Sequence, residues 1–113
     1  MKLISENEGN VFNPALHTDV TSREIVSKDT PAQHLTFHKT TISPGGGGTE
    51  LDSHPSSDQI FYILSGQVKF RSADTELIAR AGQTVFIPAG EPHASINGSD
   101  IEAVCLVVTA PPL

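Results

Sequence analysis

The sequence predicts an all-β fold, a sandwich or barrel of short antiparallel strands. Three observations predict it. Apolar runs of four to nine residues recur at short intervals, as half-buried strands do. Turn residues separate them. No window offers a capped amphipathic helix of twelve residues, and 8 prolines with 9 glycines would break most candidates.

Taken in order, the first third carries the least pattern. Over residues 1–34, Leu3-Ile4 and Ile25-Val26 read as short edge strands, placed to pair across a dimer interface. Leu35 to Ile42 is the first clear strand. Pro44 and Gly45 to Gly48 follow it. A phosphate cradle would need a following helix and a Gly-Lys-Ser/Thr end; Thr49-Glu50-Leu51-Asp52 follows instead, so the glycines read as a flexible turn. Strands then read over Gln59 to Leu64, Gln67 to Arg71, Thr75 to Ala79, Thr84 to Ile87 and Ile101 to Thr109. Ser65-Gly66, Ala73-Asp74, Ala81-Gly82, Pro88-Ala89-Gly90 and Asn97-Gly98 are the turns between them. Asn-Gly is a hairpin signal because both residues tolerate positive φ.

With 113 residues, 37% hydrophobic and 18% charged, the chain suits one domain over 1–113 with its own core. Seven Lys and Arg against 13 Asp and Glu give a net charge of −6. That excludes a general phosphate-backbone binder and so a nucleic-acid partner. No stretch reaches the roughly 20 apolar residues of a membrane span, and the start has no signal-peptide core. No membrane partner and a cytoplasmic location are therefore expected. Cys105, the single cysteine, sits in the apolar run Ala103 to Val108 and reads as a small buried hydrophobe.

Two histidines stand in punctuated contexts. Asp52-Ser53-His54 precedes Gln59, and residues two apart on a strand share a face. His93 follows the Pro88-Ala89-Gly90 turn, where a hairpin-rich barrel would bring it beside Asp52 and His54. Two imidazoles, a carboxylate and an amide oxygen can hold a divalent transition ion such as iron, manganese, nickel, cobalt or zinc. A strand histidine equally serves as a satisfied polar group, and spacing alone leaves both readings open.

The stretch Gly82 to Asn97 resembles the second motif of the cupin superfamily in full: Gly, five, Pro, one, Gly, two, His, three, Asn. Gly46, Asp52, His54, Gln59 and Gly66 resemble a degenerate first motif, with Asp52 in place of its first histidine and Gln59 in place of its glutamate. Fifteen residues separate Gly66 from Gly82, as in small bacterial cupins. A second register, starting from His54 and Ser56, leaves too few residues before Gln59. The resemblance covers residues 35–109 and implies a cupin double-stranded β-helix, that is, a jelly-roll barrel. It also implies a divalent metal on Asp52, His54, Gln59 and His93, a small-molecule ligand or substrate, and a homodimer. The two departures offset each other in charge, since the set still carries one negative charge. The implied activity is metal-dependent chemistry on a small polar organic molecule, of dioxygenase, isomerase or lyase type. The alternative is a non-catalytic binding or sensing cupin.

If Ile42 faces the interior, as its counterpart does in cupins, then Thr40, His38, Thr36 and His34 share that face and line the pocket, His34 nearer the strand end. The other reading turns Leu35 and Phe37 inward and leaves those residues solvated. Phe61 shares the parity of Gln59 and packs beside the metal. The ligand spacing is similar to that of cupins that linearise unsaturated uronates. Those use an aspartate in the final strand, and Cys105 to Thr109 has no carboxylate, so the proton-transfer group of that chemistry is missing there.

Overall fold

A computed structural model describes residues 1–113. Nine strands follow one 3-10 turn at Glu6–Glu8: β1 (Val11–Phe12), β2 (Thr18–Val26), β3 (Thr36–Gly47), β4 (Asp58–Ser65), β5 (Gln67–Arg71), β6 (Glu76–Arg80), β7 (Thr84–Ile87), β8 (Ala94–Ile96) and β9 (Ala103–Ala110). Every pairing is antiparallel. The order is β6-β5-β8-β3-β9-β4-β7, with β2 on the free edge of β3 and β1 on β2. The sheet curls into a nearly closed jelly-roll barrel. β3 joins its two parts: Thr36 to Ile42 lie between β2 and β9, and Gly47 at its far end meets Ile96 of β8.

Alternation along β9 sets the interior. Ala103, Cys105, Val107 and Thr109 are buried and the residues between them are not. The residues opposite them are Ile42, Thr40, His38 and Thr36 on β3, and on β4 Cys105, Val107 and Thr109 face Ile63, Phe61 and Gln59. Directly opposed residues share a face. The interior face of β3 is therefore the one carrying Thr36, His38, Thr40 and Ile42. Ile63 and Val68, both fully buried, anchor the core at about 1.5–3 kcal/mol each.

Three expectations change. The glycine run is not a flexible turn: Gly45 to Gly47 belong to β3, and Gly46 to Gly48 are buried. A Cβ on Gly47 would lie 2.2 Å from the Ser95 carbonyl oxygen, and its φ is +134°, so only glycine lets β8 approach. Asn97-Gly98 makes no hairpin, because β8 and β9 do not pair with each other and neither residue has positive φ. Asn97 instead is wholly buried. Its amide donates to the carbonyls of Ile42 (3.0 Å) and Ile101 (2.8 Å) and accepts from the Ser99 N–H and hydroxyl. Third, in the region 1–34 Leu3-Ile4 lies in no strand, while Ile25-Val26 ends a nine-residue strand, β2, paired with β3. Its inward residues Val20, Ser22 and Glu24 are mostly polar, so no hydrophobic alternation announced it.

Candidate functional site

The site lies where the loop before β4 meets the loop before β8. Asp52 and His93 form an isolated antiparallel bridge, each N–H donating to the other's carbonyl at 2.8 Å. The Gly90 N–H donates to the His54 carbonyl at 2.9 Å, and the Ala89 N–H to an Asp58 carboxylate oxygen at 2.8 Å. These bonds tie the Pro88-Ala89-Gly90 turn, where Gly90 takes a φ of +84°, to the segment carrying Asp52 and His54. Asp52 and His54 lie on one side: His54 Nε2 is 3.8 Å from Asp52 Oδ2. The rings of His54 and His93 meet edge to face with centroids 5.6 Å apart.

Three of the four groups have a defined free atom. His93 Nδ1 lies 2.9 Å from the Glu91 carbonyl oxygen. A carbonyl only accepts, so this nitrogen carries the proton and Nε2 of the neutral ring keeps its lone pair. Asp52 Oδ1 accepts the Ser53 N–H at 2.9 Å, which leaves Oδ2 toward His54. Gln59 is buried, and its Nε2 donates to the Thr109 hydroxyl at 3.1 Å. Its Oε1 is buried with no partner. No three His, Cys, Asp or Glu side chains, Asp52, His54 and His93 included, stand grouped as a metal-holding cluster.

Two interior rows lie side by side. One runs Thr36, Thr109, Gln59, Ile87 across β3, β9, β4 and β7; the next runs His38, Val107, Phe61, Val85. Successive rows stand about 7 Å apart along the strands. In the second row, His38 is half-buried and meets the ring of Phe12 edge-on at 5.2 Å. Its Nε2 is the other buried side-chain polar atom without a partner. Burial pushes its pKa below 6.5, against the opposing pull of the Glu24 carboxylate. Phe61 packs on Phe70 with ring centroids 5.2 Å apart. Thr40 is one row deeper, its hydroxyl 2.8 Å from that of Ser22, so it belongs to the packed floor.

Sequence reasoning missed Glu24. It lies opposite His38 in the β2–β3 ladder and has the parity of the buried Val20 and Ser22. The only available signal was that parity, in a strand not recognised as one. A separate surface cleft of ≈ 570 Å³, lined by Gly66, Gln67, Arg80 and Asp100 among others, opens at the far end of β4 and brings no ligating cluster together.

A family model described as a cupin domain matches residues 38–109. An uncharacterized protein of Methanocaldococcus jannaschii is 31% identical over 71 residues, covering 63% of this chain. The chain spans only 57% of that relative's length. An oxalate-binding protein of Thermotoga maritima is 24% identical over 92 residues, 80% of this chain and 76% of its own. Among solved structures, the polyketide cyclase RemF of Streptomyces resistomycificus superposes with a TM-score of 0.85 at 22% identity, over 99% of this chain and 80% of its own. That likeness shows the fold.

Proposed function

The chain belongs to the cupin family, and from that premise we propose that it holds one divalent transition metal and uses it to bind and act on a small organic acid. The proposed ligands are His54, His93, Gln59 and Asp52. The observation that carries the reading is Gln59 Oε1, a buried oxygen with no partner. Such an atom costs about 1–3 kcal/mol unless something accepts its lone pairs, and a cation does so. His93 supports it, because the Glu91 carbonyl fixes the tautomer that leaves Nε2 free, the usual arrangement behind a ligating imidazole. Asp52 supplies the single negative charge. A bound metal would supply Lewis-acid polarisation of a chelating ligand, or a site for dioxygen. Iron, manganese, nickel, cobalt and zinc all suit these donors.

The relative named as an oxalate-binding protein supports a small acid as the ligand class. It also supports the second reading, a binding module without turnover, as does the lack of any carboxylate on β9. Titrating oxalate into metal-loaded and chelator-treated protein tests the proposal. Binding is expected only with metal present, and equal binding without metal overturns it. Oxalate consumed in the loaded sample supports the enzyme; oxalate recovered intact supports the binding module.

The proposed assembly is a homodimer. Phe86, Ile60, Tyr62 and Leu64 are exposed on the outer side of β7 and β4, a contiguous apolar face of the kind that marks an interface. A sedimentation mass of two chains, reduced to one by Phe86→Glu, is expected; a wild-type mass of one chain refutes it. No helix is long and apolar enough to cross a membrane.

A further inference from the structure

We propose that His38, backed by Glu24, reads the ligand's acid group and takes up a proton as that ligand binds. The inference rests on the metal-centred reading above and deepens it. Its basis is that the two buried side-chain polar atoms without partners, Gln59 Oε1 and His38 Nε2, face the same interior from adjacent rows. His38 on β3 and Gln59 on β4 stand one row, about 7 Å, apart along the strands and have β9 between them across the curved sheet; a small molecule in the interior would have one end on the metal side and the other toward His38. Packing alone does not explain His38. An apolar residue there would face Val107 and Phe61 without leaving a nitrogen stranded.

The charges around the imidazole define what it recognises. Glu24 is the charged group that acts on it, from β2. β9 presents Val107 and Thr109, β4 presents Phe61 and Gln59, and β1 presents Phe12. Burial keeps the ring neutral in the empty pocket near pH 7. An anionic acid arriving beside it adds a second negative charge to that of Glu24. Two carboxylates flanking a neutral ring repel each other, whereas two flanking an imidazolium attract it. Ligand binding therefore raises the proton affinity of His38. A proton moves from solvent to a ring nitrogen, one N–H bond forms, and no other bond changes. Affinity for the acid rises as pH falls from above 7 toward the value His38 has in the empty pocket.

Two measurements test this. In metal-free protein, the NMR titration of His38 is expected below 6.5, and Glu24→Gln is expected to move it lower still. An unchanged or raised midpoint in Glu24→Gln overturns the pairing, whatever the metal does. In zinc-loaded protein, calorimetry of oxalate binding at pH 7 in buffers of differing ionisation enthalpy is expected to show net proton uptake, lost in His38→Gln and weakened in Glu24→Gln. Oxalate binding without uptake, or with the same uptake in His38→Gln, overturns the inference alone. No oxalate binding at all overturns the organic-acid reading beneath it.

Discussion

Replacing Gln59 by methionine separates what this residue does for the fold from what it does for the site. Gln59 is 7% exposed, and its amide makes one bond, to Thr109 Oγ1 at 3.1 Å. Methionine of similar length removes that bond, worth about 1 kcal/mol net, and leaves the oxygen of the 2% exposed Thr109 hydroxyl without its donor. It also removes the unpartnered Oε1, whose burial costs about 1–3 kcal/mol, and places an apolar chain in an apolar setting. The terms nearly cancel, so metal-free Gln59→Met should unfold within about 1 kcal/mol of wild type, a midpoint change of roughly 5 °C. Metal binding has no such compensation: one proposed ligand is gone. Zinc affinity, read by competition with a coloured chelator, should drop at least about tenfold, or 1.4 kcal/mol. Unchanged zinc affinity would refute the ligand assignment. A metal-free variant destabilised by more than about 3 kcal/mol would show that Gln59 is there to hold strands together.

Other outcomes follow from single sites. Asn97→Ala strands the Ile42 carbonyl and breaks the bonds to Ser99, so urea unfolding should show a loss of about 2–4 kcal/mol with the proposed metal ligands intact. Cys105 is 1% exposed and burial pushes its thiol up to about 12; native protein should resist a disulfide reagent at pH 8, reacting only at the rate it unfolds. His38 titrates below 6.5 when folded and near 6.5 when unfolded, so below pH 6.5 the unfolded chain binds more protons. Its contribution is complete above 6.5 and lost as pH falls toward the folded value. Urea unfolding at pH 7.5 and 5.5 should therefore show a smaller acid-side loss in His38→Gln than in wild type.

The legible part of this chain was the part with period-two hydrophobicity. β5 and β7 have the bounds read from the sequence, and β4, β6 and β9 differ by one or two residues. Asp52, His54 and His93 were legible because turn residues punctuate them, and the structure sets Asp52 opposite His93. What was not legible had physical causes. β2 buries Ser22 and half-buries Glu24 on the face where a core strand would bury valine or isoleucine. β8 is three residues long. Gly46 and Gly47 of β3 are selected by the close approach of Asp19 and Ser95, contacts no local pattern contains. Asn97 resembles a turn residue because its side chain does bond to nearby backbone, but it also ties the β8–β9 connection to the Ile42 carbonyl of β3.

The central claim is that one metal ion sits among His54, His93, Gln59 and Asp52. Elemental analysis of untagged protein tests it most directly, in wild type and in His93→Ala. The expected result is about one transition metal per chain in wild type, and its loss in His93→Ala with the circular dichroism spectrum of the folded barrel retained. Less than about a tenth of an ion per chain after reconstitution, or metal content that survives His93→Ala, would contradict it.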